Sequence, residues 1–135
     1  MKKVNCICII DDDAIYTLLL KKMIVKLDIC DTVVSYANGE EAYFGFEKNI
    51  QQNNPLPNIV LLDINMPIMD GWEFMDAFLA LKPQIQQKIA IYIASSSITI
   101  EDREKAASYT DIVEYLNKPV VTATLQKIIQ EQTLD

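Results

Sequence analysis

Five short apolar runs alternate with segments of helical length, and this alternation restricts the fold more than any other feature of the chain. Val4–Ile10, Thr32–Ala37, Asn58–Leu62, Lys88–Ala94 and Ile112–Leu116 are rich in Val and Ile and read as strands. Several are apolar almost without alternation, the pattern of strands covered on both faces. Strands of that kind separated by helices imply a parallel sheet with right-handed crossovers. The expected architecture is α/β, a doubly wound (βα)5 unit, and five strands suit the order 2-1-3-4-5. In such sheets ligands bind beyond the carboxyl ends of the strands.

The helical segments carry their own signals. After Asp13, the residues Ile15, Leu18, Leu19 and Met23 give the first helix its apolar spacing, while Lys22 and Lys26 share a polar face. The second spans Asn38–Gln52, opening at an Asn-Gly turn signal and ending in the loop Asn53-Asn54-Pro55-Leu56-Pro57. Asp70 can cap the third, with Glu73 three residues on and Phe74, Phe78 and Leu81 at i, i+4, i+7 before Pro83. The fourth, Thr99–Ser108, is poorly amphipathic because Glu101, Asp102, Arg103, Glu104 and Lys105 crowd it. The fifth is expected to bury Val121, Leu125, Ile128 and Ile129. A length of 135 residues suits one domain.

Strand ends are where chemistry is expected, and they are chemically loaded. The first strand ends in Asp11-Asp12-Asp13, the third in Asp63, the fourth in Ser95-Ser96-Ser97, and Lys118-Pro119 follows the fifth. Each residue alone has a plain explanation: Asp13 as a helix cap, Ser95 as a satisfied hydroxyl, Lys118 as a surface charge. Their joint placement at the ends of different strands points instead to one crevice. Two carboxylates ~4 Å apart repel by about 4 kcal/mol at an effective dielectric near ~20. Three of them call for a cation, and a histidine-free oxygen site suits Mg²⁺.

Composition narrows the chemistry further. The chain has no histidine, which removes Ser-His-Asp and Cys-His catalysis and imidazole as general base. A net charge of −7 and the lack of a basic run count against nucleic-acid binding. Cys6, Cys8 and Cys30 are odd in number, lack C-x-x-C spacing, and read as small buried thiols of a reducing compartment. No apolar stretch approaches the ~20 residues needed to cross a membrane. A cytoplasmic protein with neither nucleic acid nor membrane as partner is expected.

Ile9-Ile10-Asp11-Asp12-Asp13, the segment Leu61-Leu62-Asp63-Ile64-Asn65-Met66-Pro67-Ile68-Met69-Asp70-Gly71, Ser95 and Lys118-Pro119 together resemble the receiver domain of two-component response regulators. The resemblance covers nearly the whole chain, and the Asp-x-x-Met-Pro-x-Met-Asp-Gly segment is highly specific. It implies a flavodoxin-like fold and a single-domain, chemotaxis-type receiver over residues 1–135. Asp63 would accept a phosphoryl group from a histidine kinase or a histidine-phosphotransfer protein. Asp12 and Asp63 would bind Mg²⁺ directly, Asn65 through its backbone carbonyl and Asp11 mainly through water. Ser95 and Lys118 would contact the phosphoryl group, and Tyr115 would swing inward on activation. The face from the fourth helix to the fifth would then engage a downstream protein. The Lys118-Pro119 peptide is often cis in this family.

The resemblance also implies a protein that catalyses only phosphorylation and dephosphorylation of its own aspartate. Asn49–Asn58 looks like an insertion relative to compact members, and the acidic pair could in principle be Asp12-Asp13 rather than Asp11-Asp12. Asn65 and Ser97 occupy positions that tune phosphoryl lifetime. Only Glu131–Asp135 follow the fifth helix, so no DNA-binding output domain is expected, and Met1 just before the first strand favours a natural start over a receiver cut from a larger hybrid kinase. Three other readings compete. A phosphorylation-independent pseudo-receiver would lack a site residue, and none is missing. A Mg²⁺-dependent phosphohydrolase would resemble Asp-x-Asp, where this chain has Asp63-x-Asn65. A flavin module needs a Ser/Thr- or Gly-rich phosphate loop where three aspartates stand.

Overall fold

The first strand, β1 (Val4–Ile10), has the limits that its apolar run suggests. The others are β2 (Cys30–Tyr36), β3 (Ile59–Leu62), β4 (Ala90–Ser95) and β5 (Ile112–Asn117). Each differs by one or two residues at an end from its apolar run: β4 and β5 pair one residue further at their carboxyl ends, whereas β3 starts one residue later and β4 two. The helices are α1 (Ala14–Leu27), α2 (Gly39–Gln51), α3 (Gly71–Leu81), α4 (Ile100–Ala107) and α5 (Thr122–Gln132). This computed structural model describes residues 2–96 and 99–134. Ser97 and Met1, singled out from the sequence, lie outside them.

All strands pair in parallel, in the order β2-β1-β3-β4-β5. The fold is therefore a flavodoxin-like α/β sheet with helices on both faces. One layer of core packs Phe46, Phe74, Met75 and Phe78 from α2 and α3 against Cys8, Val60 and Ile91. The other packs Leu20 and Ile24 from α1 with Leu125, Ile128 and Ile129 from α5 against Ile7, Ile9, Leu61 and Tyr92. Central strands β3 and β4 are buried along their whole length, as their unbroken apolar runs require.

Two expectations fail on helical phase. Ile15, Leu18 and Leu19 are exposed, Ile15 at 74%, and the inward stripe of α1 is Leu20 and Ile24 with Tyr16, Met23 and Leu27 partly buried. α1 is apolar on two faces, so spacing alone picks the wrong one. Val121 is 50% exposed because it is the extended residue before α5, and Val120 is buried instead. The helix runs on to Gln132, further than the sequence reading.

The other local signals behave as expected. Asp70 and Glu73 form a reciprocal capping box at the start of α3. Asn38 serves as the N-cap of α2, so the Asn-Gly signal marks a helix start. The inserted loop is pinned by Gln87, whose amide accepts from Leu56 N–H at 2.9 Å and donates to Leu56 C=O at 2.8 Å. The thiols depart from the expectation of three buried cysteines, since Cys8 is buried but Cys6 and Cys30 are only half-buried. Burial raises all three thiols, Cys6 to about 11, and keeps them protonated. Among the described residues no helix is long and apolar enough to cross a membrane.

Candidate functional site

Asp11 and Asp63 each follow the last residue of a central strand and continue its ladder. Asp11 N–H donates to Tyr36 C=O at 3.1 Å, and Asp63 N–H donates to Ile10 C=O at 2.9 Å. The parallel register Ile10↔Leu62 thus carries the two carboxylates side by side. Both are almost enclosed, at 5% and 8% exposure. Asp12 is exposed beside them, and carboxylate oxygens of Asp11, Asp12 and Asp63 lie within 4.8 Å of one another. Asp13 instead caps α1, accepting from Tyr16 N–H at 3.0 Å, so the acids that converge are Asp11 and Asp12.

Lys118 reaches this cluster from the loop after β5. Its Nζ lies 2.6 Å from Asp11 Oδ2 and 3.4 Å from Asp63 Oδ1. Lys118 N–H donates to Ser95 C=O at 3.0 Å, which ties the loop to the end of β4, and the Lys118-Pro119 peptide is cis. Three carboxylates facing one ammonium leave two negative charges, a balance that a divalent oxygen-seeking ion would close. The donor set therefore fits Mg²⁺.

Electrostatics agree with the geometry. Burial, and then the neighbouring Asp11 charge, raise the Asp63 carboxyl above its usual range, although Lys118 and the Ile64 N–H oppose this. Burial works against the Lys118 ammonium, but Asp11 and Asp63 together outweigh it and hold the lysine above its ordinary value. Asp63 Oδ1 accepts from Ile64 N–H at 2.9 Å, while Oδ2 accepts no hydrogen bond among the described residues. One carboxylate oxygen is thus fixed by the backbone, and the other has no such tie among the described residues.

Ser95 closes β4, 2% exposed, one layer beyond Asp63. Asn65 stands exposed two residues after Asp63. Tyr115, level with Ile93, turns inward against the core beneath α4. Its hydroxyl is buried without a hydrogen-bond partner of ordinary geometry. Burial, followed by Asp102, raises its pKa, and the nearby Ser95 hydroxyl lowers it. Two further residues support the site: Gly71, a motif residue with no role assigned from sequence, and Tyr16, which escaped the sequence reading. Gly71 must lack a side chain, since a Cβ there would overlap the Asp63 carbonyl oxygen. Tyr16 lies with its ring under Lys118, 4.6 Å from Nζ. The motif itself signals Gly71, but nothing in the spacing of α1 signals Tyr16.

A model of the response regulator receiver domain matches residues 7–130. The chain belongs to this family. A two-component response regulator from Cytophaga hutchinsonii has a similar structure, with a TM-score of 0.81 and 26% identity over 96% of this chain and 97% of that one. A response regulator receiver protein from Dyadobacter fermentans shares the fold, with a TM-score of 0.80, 21% identity, and coverage of 96% and 98%. A protein-glutamate methylesterase/protein-glutamine glutaminase of Methanococcoides burtonii is 28% identical over 126 residues. The match takes in 91% of this chain but 32% of that protein, so the receiver spans about a third of such relatives.

Proposed function

We propose that this receiver accepts a phosphoryl group on Asp63 from a phosphohistidine of a histidine kinase or histidine-phosphotransfer protein, and signals by altering its protein contacts. The observation that carries this reading is the Asp63 carboxylate, enclosed beside Asp11 and Asp12, with Oδ1 held by Ile64 N–H and Lys118 and Oδ2 without a hydrogen-bond partner among the described residues. Two anions must approach each other in the transfer, so neutralisation and positioning dominate the barrier. Lys118 supplies one fixed positive charge. Asp12, Asp63 and the Asn65 carbonyl would hold Mg²⁺, with Asp11 acting through water, and the ion would neutralise phosphoryl charge by Lewis acidity.

In the transfer, an Asp63 oxygen attacks phosphorus as the donor P–N bond breaks, and the bonding pair stays with the imidazole nitrogen. The product is an acyl phosphate, and water later releases inorganic phosphate and restores the carboxylate. Ser95 and Lys118 offer donors to phosphoryl oxygens that exist only after transfer, which is the differential contact that a two-state switch requires. Tyr115, between α4 and α5 and adjoining Ser95, links that contact to the outer face. A groove of about 180 Å³ there is lined by Arg103, Ala106, Ile112 and Tyr115.

Incubation with Mg²⁺ and acetyl phosphate, followed by intact-mass measurement, tests the reading. A single phosphoryl adduct is expected, abolished by chelation of Mg²⁺ and absent in Asp63→Asn. If no adduct forms and beryllofluoride does not bind in the presence of Mg²⁺, Asp63 is not an acceptor.

A further inference from the structure

The Lys118 ammonium touches two carboxylates and also lies over an aromatic face. Asp11 Oδ2 and Asp63 Oδ1 lie 2.6 and 3.4 Å from Nζ, and the Tyr16 ring centroid lies 4.6 Å away. Tyr16 belongs to the first turn of α1, where its N–H donates to the capping Asp13. The aspartate run that brings acids to the site therefore also fixes the ring. The Tyr16 hydroxyl is buried and has no hydrogen-bond partner among the described residues. Burial, then the charges of Asp11, Asp63 and Asp13, keep that phenol protonated. An unpaired buried hydroxyl is a cost to the fold, which leaves the ring as the part of Tyr16 that serves the site.

We propose that Tyr16 is a positioning residue of the acceptor site, its ring face holding the Lys118 ammonium where it bridges Asp11 and Asp63. This rests on the acceptor reading above. Lysine is a point charge on a flexible stem, and two acids of unequal distance do not by themselves define its height over the crevice. A ring face attracts an ammonium most strongly where water is excluded, and the Lys118 side chain is only 15% exposed. The ring thus replaces part of the hydration that burial removes from the ammonium. It keeps the charge at the mouth of Asp63, ready for phosphoryl oxygens.

The test compares Tyr16→Phe with Tyr16→Leu, using the Lys118 Cε methylene NMR shift and the affinity for beryllofluoride in Mg²⁺. Ile24→Val, under the same helix but away from the site, controls for lost stability. Tyr16→Phe is expected to keep the upfield ring-current shift and bind within about twofold of the parent. Tyr16→Leu is expected to lose that shift and bind about five- to tenfold more weakly. Rescue by Phe but not Leu is a pattern that a purely structural role does not produce. The proposal is overturned if Leu retains either the shift or the affinity, or if Phe loses as much as Leu, which would assign the role to the hydroxyl. Failure of the unaltered protein to bind beryllofluoride would overturn the acceptor reading, and is separable because the Lys118 shift needs no ligand.

Discussion

Helices α3 and α4 cover the same face of the sheet, yet they are held in opposite ways. α3 buries Gly71, Trp72, Phe74, Met75, Phe78 and Leu81 and begins at a full capping box. α4 buries only Ala106 and is capped by Thr99, whose hydroxyl accepts from Asp102 N–H at 3.0 Å. Its remaining ties are lateral. Tyr109, just past its end, stacks on Trp72 at 5.9 Å and donates to Asp76 at 2.8 Å, and Lys105 lies 5.2 Å over the same indole. The helix that abuts Asp63 is built to stay, and the helix beside Tyr115 is built so that little must be broken to shift it.

The largest break in this contrast is expected from Phe78→Ala, which should cost about 3–5 kcal/mol in urea unfolding as a buried aromatic is lost. The α4 counterpart, Ala106→Gly, should cost about 1 kcal/mol. Equal losses would mean that α4 is as firmly built as α3. Next, Tyr109→Leu removes a ring stack and a hydrogen bond and should cost about 1–2 kcal/mol. Amide exchange is then expected to accelerate across Ile100–Ala107 while α3 stays protected; faster exchange in both would show that the lateral ties serve the whole face.

A smaller effect should come from Asp63 itself. Because burial and Asp11 raise the pKa of Asp63, the fold favours its protonated form. Stability is then lost as pH rises from the usual carboxylate value of 3.8 through the raised one, and stays lost above it. Asp63→Asn should therefore melt higher at pH 7. The gap should close on acidification and also on adding Mg²⁺ to the parent. A lower melting point for the variant at neutral pH would contradict the sign. The smallest expected change lies in the loop between Asp63 and α3, where exposed Ile68 has φ 70, a left-handed conformation that a β-branched residue rarely adopts. Ile68→Asn should stabilise by about 0.5 kcal/mol in thermal melts, since asparagine tolerates that region.

The same contrast explains how much could be read in advance. Strands β1 and β3 and the stripe Phe74, Phe78 and Leu81 were legible because burial on both faces, or on one strong face, leaves an unambiguous pattern. Helix α1 was not, because Ile15, Leu18 and Leu19 on its outer face are as apolar as Leu20 and Ile24 on its inner one. The site's charged members stood out through their positions at strand ends, which topology converts into proximity. Tyr16 could not be found that way. A tyrosine in a helical apolar pattern reads as core, and its contact with Lys118 exists only once α1 and the β5 loop have met.

Trp72 is the sole tryptophan of the chain, and it sits under both of the groups that restrain α4. Indole emission responds to a stacked phenol and to a nearby ammonium, so its intensity and wavelength depend on where that helix lies. The protein thus contains its own optical gauge, placed at the seam between the fixed and the loose helix. Stopped-flow mixing with a phosphodonor would show, without any label, whether the proposed phosphorylation moves that helix.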